Sequence, residues 1–253
     1  MLSGLALSPG EWLAAGGAIL FAAVLRGFTG FGFAIAAVPL ASLVLPPSRT
    51  VAAVLVMQLA IGLRDCFMEW RHADQPTVVR LVLGSAIGMP LGVAALALAS
   101  ATMMRAGLGL MVLVAVALTW KPRPAQLRPH SSLTMATGFA AGICHGLAAM
   151  GGPPAVAYFL AFEKRVTVMR SSLMVFFPLA SLLGLPMVAL AGLLDAPAFM
   201  LGVLGMPLMV GGGWLGTWAF RRYGARSYRP LALGALLLTA AASIARAMVD
   251  LLP

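Results

Sequence analysis

The chain has 253 residues, 61% of them hydrophobic and only 9% charged, with 17 Lys and Arg against 7 Asp and Glu for a formal net charge of +10. With a mean hydropathy of +0.99, this composition excludes a soluble globular domain and indicates an integral membrane protein. The positive charge does not indicate nucleic acid, because the Lys and Arg fall in short connections between apolar stretches and read as an orientation signal. Cys66 and Cys144 stand in different segments without metal-ligand spacing, so neither a zinc site nor a disulfide framework is expected.

In chain order, ten apolar segments are expected, over residues 11–25, 31–46, 49–63, 77–99, 102–120, 133–145, 153–163, 167–193, 197–220 and 230–251. They continue to the C-terminus, so the first is expected to remain in the mature chain rather than serve as a cleaved signal. A helix that crosses the hydrocarbon core needs about 20 residues. The fourth, fifth, eighth, ninth and tenth segments meet that length, and the third nearly does with its flanks. The first, second, sixth and seventh are too short to cross.

The polar linker "KPRPAQLRPHSS", Lys121 to Ser132, divides the chain into a first transmembrane repeat, 1–120, a cytoplasmic linker, 121–132, and a second repeat, 133–253. The tetrapeptide "GMPL" recurs at Gly88–Leu91 and Gly205–Leu208. Glycine-rich breaks, one reaching Gly32 and the other Gly152, fall at a similar offset in the two parts. A recurring motif with a matching break indicates duplication.

The Lys and Arg excess sits in four connections: Arg64, Arg71 and Arg80; Lys121, Arg123 and Arg128; Lys164, Arg165 and Arg170; and Arg221, Arg222, Arg226 and Arg229. Alternate crossing places all four on the cytoplasmic face. Five segments per half is an odd number, which inverts the second half relative to the first. The expected fold is an all-α polytopic membrane protein of two inverted repeats, about five helical segments each. The short segments pair as glycine-rich re-entrant or broken helices whose tips meet near mid-membrane.

The tips carry the candidate chemistry. "RGFTGFGF" combines Arg26, a planar and permanent cation, with Gly27, Thr29, Gly30 and Gly32, where backbone amides can approach a ligand and the start of a half-helix presents unpaired N–H groups. The second tip offers His145, Gly151, Gly152 and Pro153, and the eighth segment opens with Arg170 and Ser171. Together these are the candidate substrate-binding residues for an anion. Bland readings stand beside them. Arg26 has a second reading as an interfacial residue snorkelling to lipid phosphates, His145 reads more simply as a structural histidine, and Arg170 reads equally as a cytoplasmic anchor. Gly84, Gly88, Gly92, Gly212 and Gly216 have the spacing of close helix packing. Trp12, Trp70, Trp120, Trp214 and Trp218 fall near segment ends, as in an aromatic belt.

All seven acids lie at segment edges or in loops, so no intramembrane carboxylate is expected, which weighs against a cation pump or a proton carrier built on buried acids. His145 beside Cys144 is not a catalytic pair, since adjacent helical side chains diverge. No nucleotide-binding, metalloprotease or serine hydrolase motif is present. No cofactor and no metal are expected.

The stretches "RGFTGFGFAIAAVP", "GGPPAVAYFL", "KRVTVMRSSLMVFF" and "GLPMVALAGLL" resemble the TauE/SafE family, the sulfite exporter or toluene sulfonate uptake permeases, over nearly the whole chain. The resemblance implies a multi-pass permease of the bacterial inner membrane for sulfite, sulfonates or other small organic anions, with two related repeats and a site between the glycine-rich regions. The first break departs from the family's common form, with "GFGF" where "GxGGG" is frequent. The expected function is secondary transport or facilitation of small anions by alternating access, with no enzymatic activity. An intramembrane enzyme or a structural membrane subunit is the alternative. The expected partners are a small anionic substrate and membrane lipids, with no nucleic acid; a homo-oligomer and a coupling ion are both compatible with the sequence.

The charge count yields a topology test. Both termini are expected on the periplasmic side, so a periplasm-dependent reporter fused after Pro253 should be active; a reporter active there only in the cytoplasm reverses the orientation.

Overall fold

The computed structural model describes residues 8–100, 102–104, 107, 110–111, 130–163, 165–223 and 234. Most of the expected fifth and tenth segments and of the linker lies outside the described residues. The regular elements are α1 (Pro9–Thr29), α2 (Phe33–Ala41), α3 (Pro47–Glu69) with a 3-10 turn at Trp70–His72, α4 (Gln75–Leu98), α5 (Ser131–Ala148), α6 (Gly152–Phe162), α7 (Val166–Leu190) and α8 (Ala196–Tyr223). Among them α1, α3 with its turn, α4, α7 and α8 are long and apolar enough to cross a membrane. The protein is a multi-pass, all-helical membrane protein.

Local chemistry sets the helix boundaries. Ser8 and Glu11 form a reciprocal capping box ahead of Pro9, with Ser8 N–H donating to Glu11 Oε2 at 2.7 Å. This starts α1 two residues before the expected segment, and the helix runs on to Thr29. The first segment is therefore 21 residues long rather than too short to cross. The second shrinks to the nine residues of α2. Asp74 caps α4 and Asp195 caps α8, where its Oδ1 accepts from Ala198 N–H at 2.8 Å.

Glycines set the packing. On α4, a methyl group at Gly84, Gly88 or Gly92 would collide with the backbone of Met135, Phe139 or Ile143 of α5, and Gly138, Gly142 and Gly146 of α5 press back on Leu81, Ser85 and Met89. Because the contacts advance together, α4 and α5 run parallel with backbones nearly touching. The same device joins α1 and α8, where Gly212 and Gly216 meet Leu20 to Phe28 and Gly27 meets Gly213. The contacts of α3 with α8 also advance together, from Arg49–Asp195 to Gly202 against Ala53 and Val56. Against α7, by contrast, α3 runs antiparallel, with Gly62 against Pro178 and Glu69 against Arg170.

The two halves also match in spacing. Helices α1 and α5 end at Thr29 and Ala148, and α2 and α6 begin at Phe33 and Gly152, so each break spans three residues, 30–32 and 149–151. The starts of α3 and α7, Pro47 and Val166, keep the same offset. Packing between halves is reciprocal: α1 lies on α8, α4 on α5, and α3 on α7.

Two glycine substitutions test the close packing. Gly211→Ala adds a Cβ with nothing within 4 Å and should hold or raise thermal stability, by up to about 1 kcal/mol. Gly92→Ala drives a methyl into the Ile143 carbonyl and should lower stability by about 1–3 kcal/mol. Equal unfolding midpoints of the two variants in detergent contradict the backbone contact.

Candidate functional site

A helix that stops inside the protein leaves its last carbonyls without intrahelical donors, and the end of α1 answers this residue by residue. Gly30 takes φ +80° and Gly32 φ +91°, left-handed values that favour glycine. The Gly30 N–H returns to the Arg26 carbonyl at 2.7 Å. Thr29 Oγ1 lies 2.8 Å from the Leu25 carbonyl and 2.6 Å from that of Phe31, and it accepts from Phe31 N–H at 3.3 Å. The Gly27 carbonyl accepts from Arg170 Nη2 at 2.9 Å and from Thr217 Oγ1 at 3.3 Å. Arg170 also lies over the Phe220 ring at 4.9 Å and 3.8 Å from Glu69, whose other oxygen accepts from Ser171 Oγ at 2.5 Å. A Cβ on Gly30 would meet Arg170 Cγ at 2.5 Å. Arg170 thus braces the first break from α7, and Ser171 beside it holds Glu69.

The second break closes differently. Ala149 adopts φ +55°, with its N–H on the His145 carbonyl at 2.7 Å, the αL form of helix end, and Met150 N–H lies on the Cys144 carbonyl at 3.3 Å. His145 is fully buried. Its Nδ1 accepts from Gly151 N–H at 3.4 Å, which leaves Nε2 to donate to Ser181 Oγ at 3.2 Å. Gln58 Nε2 donates to the Ala149 carbonyl at 3.4 Å. A Cβ on Gly152 would lie 2.8 Å from Ile35 Cδ1 of α2, so the two breaks are packed against each other. Pro153 is buried in the first turn of α6.

Two cavities adjoin these breaks. A small chamber of about 10 Å³ lies between them, lined by Arg26, Gly32, Ile35, Met150 and Gly152, with Gln58 at the midpoint of α3. It has room for roughly one water molecule. A wide open crevice of about 810 Å³ lies between α1, α3, α7 and α8, and its charged lining comprises Arg26, Arg64, Asp65, Glu69, Arg170 and Arg221. Arg26 lines both.

The sequence leads one to expect Arg26 to rest against carbonyls or water; it is paired instead with a carboxylate. Its Nη2 donates to Asp65 Oδ2 at 2.7 Å, with side-chain exposures of 7% and 14%. Two of the acids expected at segment edges or in loops lie on a helix, because α3 continues past residue 63 and carries Asp65 and Glu69 one turn apart on the face that meets Arg26 and Arg170. Of the expected site residues, Arg26, Gly32 and Gly152 line the chamber, and Gly27 and Arg170 line the crevice. Thr29, Gly30, His145, Gly151, Pro153 and Ser171 shape the breaks. Gln58, Asp65, Glu69 and Thr217 are additions; a lone amide inside the third segment was the readable signal for Gln58.

No curated protein and no solved structure matches the chain. The family model for the sulfite exporter TauE/SafE matches residues 15–243. With glycine-broken helices, an arginine between two cavities and a match over nearly its whole length, the chain belongs to the TauE/SafE sulfite exporter family.

Proposed function

We propose that this protein carries small anions, of the sulfite, sulfonate or related organic type, across the bacterial inner membrane by alternating access around the chamber between the breaks. The observation that carries this reading is that Arg26 lines both the small chamber and the wide crevice. A permanent cation at such a junction meets an anion arriving by the wide crevice and presents it to the chamber between the breaks. The backbone of Gly32 and Gly152, which line the chamber, supplies amide donors, while Gly27, Thr29, Gly30, His145, Gly151, Pro153, Arg170 and Ser171 hold the surrounding structure in place.

Residues 1–120 and 133–253 act as two inverted repeats joined by the linker 121–132, with α1–α2 and α5–α6 as glycine-broken helical pairs. The matched breaks, the reciprocal packing and the antiparallel course of α3 and α7 support this. Gln58, at the midpoint of α3, supports a chamber near mid-membrane. The chamber holds about one water in the present state, so the anion needs a rearrangement to enter it, as alternating access requires.

Uptake of radiolabelled sulfite and small sulfonates into proteoliposomes tests the reading. Arg26→Lys keeps the charge and loses the two-pronged geometry, so it should weaken transport less than Arg26→Ala. A charge-assisted hydrogen bond contributes about 1.5–3 kcal/mol, or roughly 10- to 100-fold in affinity. Arg26→Ala leaves Asp65 buried without its cation, so the double variant Arg26→Ala/Asp65→Ala serves as the better folded comparison. Arg49 is the control: its half-exposed pair with Asp195 at 2.8 Å is worth no more than about 1 kcal/mol, and Arg49→Ala should transport normally. Equal affinity and transport in wild type and the Arg26 variants, at matched folded levels, remove Arg26 from the mechanism.

A further inference from the structure

Asp65 occupies the position an incoming anion needs. Its Oδ2 lies 2.7 Å from Arg26 Nη2, and it lines the crevice but not the chamber. An anion entering from the crevice therefore meets the guanidinium edge that Asp65 already holds. We propose that Asp65 is a resident counter-anion, displaced from Arg26 when substrate binds, and that the displaced carboxylate takes up a proton from the crevice, so that anion and proton cross together. The inference rests on the anion-transport reading and adds the coupling ion and the residue that carries it.

Charge balance favours this sequence of events. At rest Arg26 and Asp65 together are neutral. Substrate joining Arg26 while Asp65 stays ionised would set two negative charges beside one guanidinium in a largely buried place. Transfer of one proton from hydronium to the Asp65 carboxylate, releasing water, returns the set to neutral: arginine, bound anion and carboxylic acid. Like charges sharing a site favour such a protonation, and an unbalanced charge in an apolar interior is unfavourable.

The other charged groups around Asp65 fit the scheme. Arg170, facing from α7, is engaged by Glu69, the Gly27 carbonyl, Thr217 and the Phe220 ring. Glu69 is held in turn by Ser171. Arg64 and Cys66 neighbour Asp65 on α3, and Arg221 of α8 lines the same crevice. Arg64 and Arg221 raise the local anion concentration at the open mouth.

The experiment uses the full-length protein in proteoliposomes loaded with a pH-sensitive dye. Methanesulfonate, a strong-acid anion ionised throughout the mildly acidic to neutral range, is the first probe, and sulfite is the second. Wild type should move protons with methanesulfonate, faster from the more acidic side. Asp65→Asn should bind methanesulfonate about tenfold or more tightly, should still exchange anion for anion, and should move no protons. Asp65→Glu, which keeps the titrating group, should retain coupling. Anion flux by wild type without proton movement overturns the inference and needs no variant. Unchanged or weaker binding by folded Asp65→Asn also overturns it, since Arg26 then holds both anions at once. If wild type moves neither probe, the anion-transport reading falls, and this inference with it.

Discussion

Helices that end inside an apolar body leave carbonyl groups that lipid cannot satisfy, at a cost of several kcal/mol each, and the arrangement around both breaks follows from that constraint. At the end of α1 the Gly27 carbonyl is met by Arg170 and Thr217, and the Thr29 hydroxyl, with one proton to donate, lies within reach of the Leu25 and Phe31 carbonyls. An arginine used this way brings its charge inside, and Glu69 and Ser171 gather beside it. Arg26 brings a second charge and is balanced by Asp65. The second break solves the same problem with neutral groups: His145, Ser181 and Gln58. One break is therefore ionic and the other is not, although their lengths match.

Bracing of this kind needs helices close enough for side chains to reach backbone across them, and the glycine contacts supply that closeness. Where α1 lies on α8, the Gly27 backbone touches Gly213, and Thr217 sits one turn further along α8, within reach of the carbonyl it serves. Any side chain at Gly27 or Gly216 would separate the pair and withdraw Thr217. Packing and polar satisfaction are here the same contact viewed from two residues. The parallel pair α4–α5 has the same construction and carries His145 towards Ser181 of α7.

Much of this was legible in composition and spacing. The all-helical class followed from hydropathy, the breaks from glycine clusters, and the packing role of Gly84, Gly88, Gly92, Gly212 and Gly216 from their four-residue intervals, which the contacts bear out. The length of α1 was underestimated because Ser8, Pro9 and Glu11 are polar or helix-starting residues that hydropathy discards, while Arg26 interrupts the apolar run at its other end. The ion pairs were invisible for a different reason. Asp65 lies 39 residues from Arg26 and Glu69 lies 102 from Ser171, and a carboxylate just beyond an apolar run looks like a loop residue until the helix is known to continue. Direction of packing and separation in sequence carry that information, and neither shows in local pattern.

The pairing of α1 with α8 also bears on how the chain is made. The Gly27 carbonyl waits for Arg170, 143 residues later, and for Thr217, 190 residues later. At synthesis rates of about 5–20 residues per second, that is roughly 10–40 s before the last partner exists. Over that interval the Gly27 carbonyl lacks first both of the side chains that meet it in the folded chain and then Thr217 alone. Completion of the first break is thus one of the last steps of biogenesis, and it ties the opening stretch of the polypeptide to the synthesis of α8.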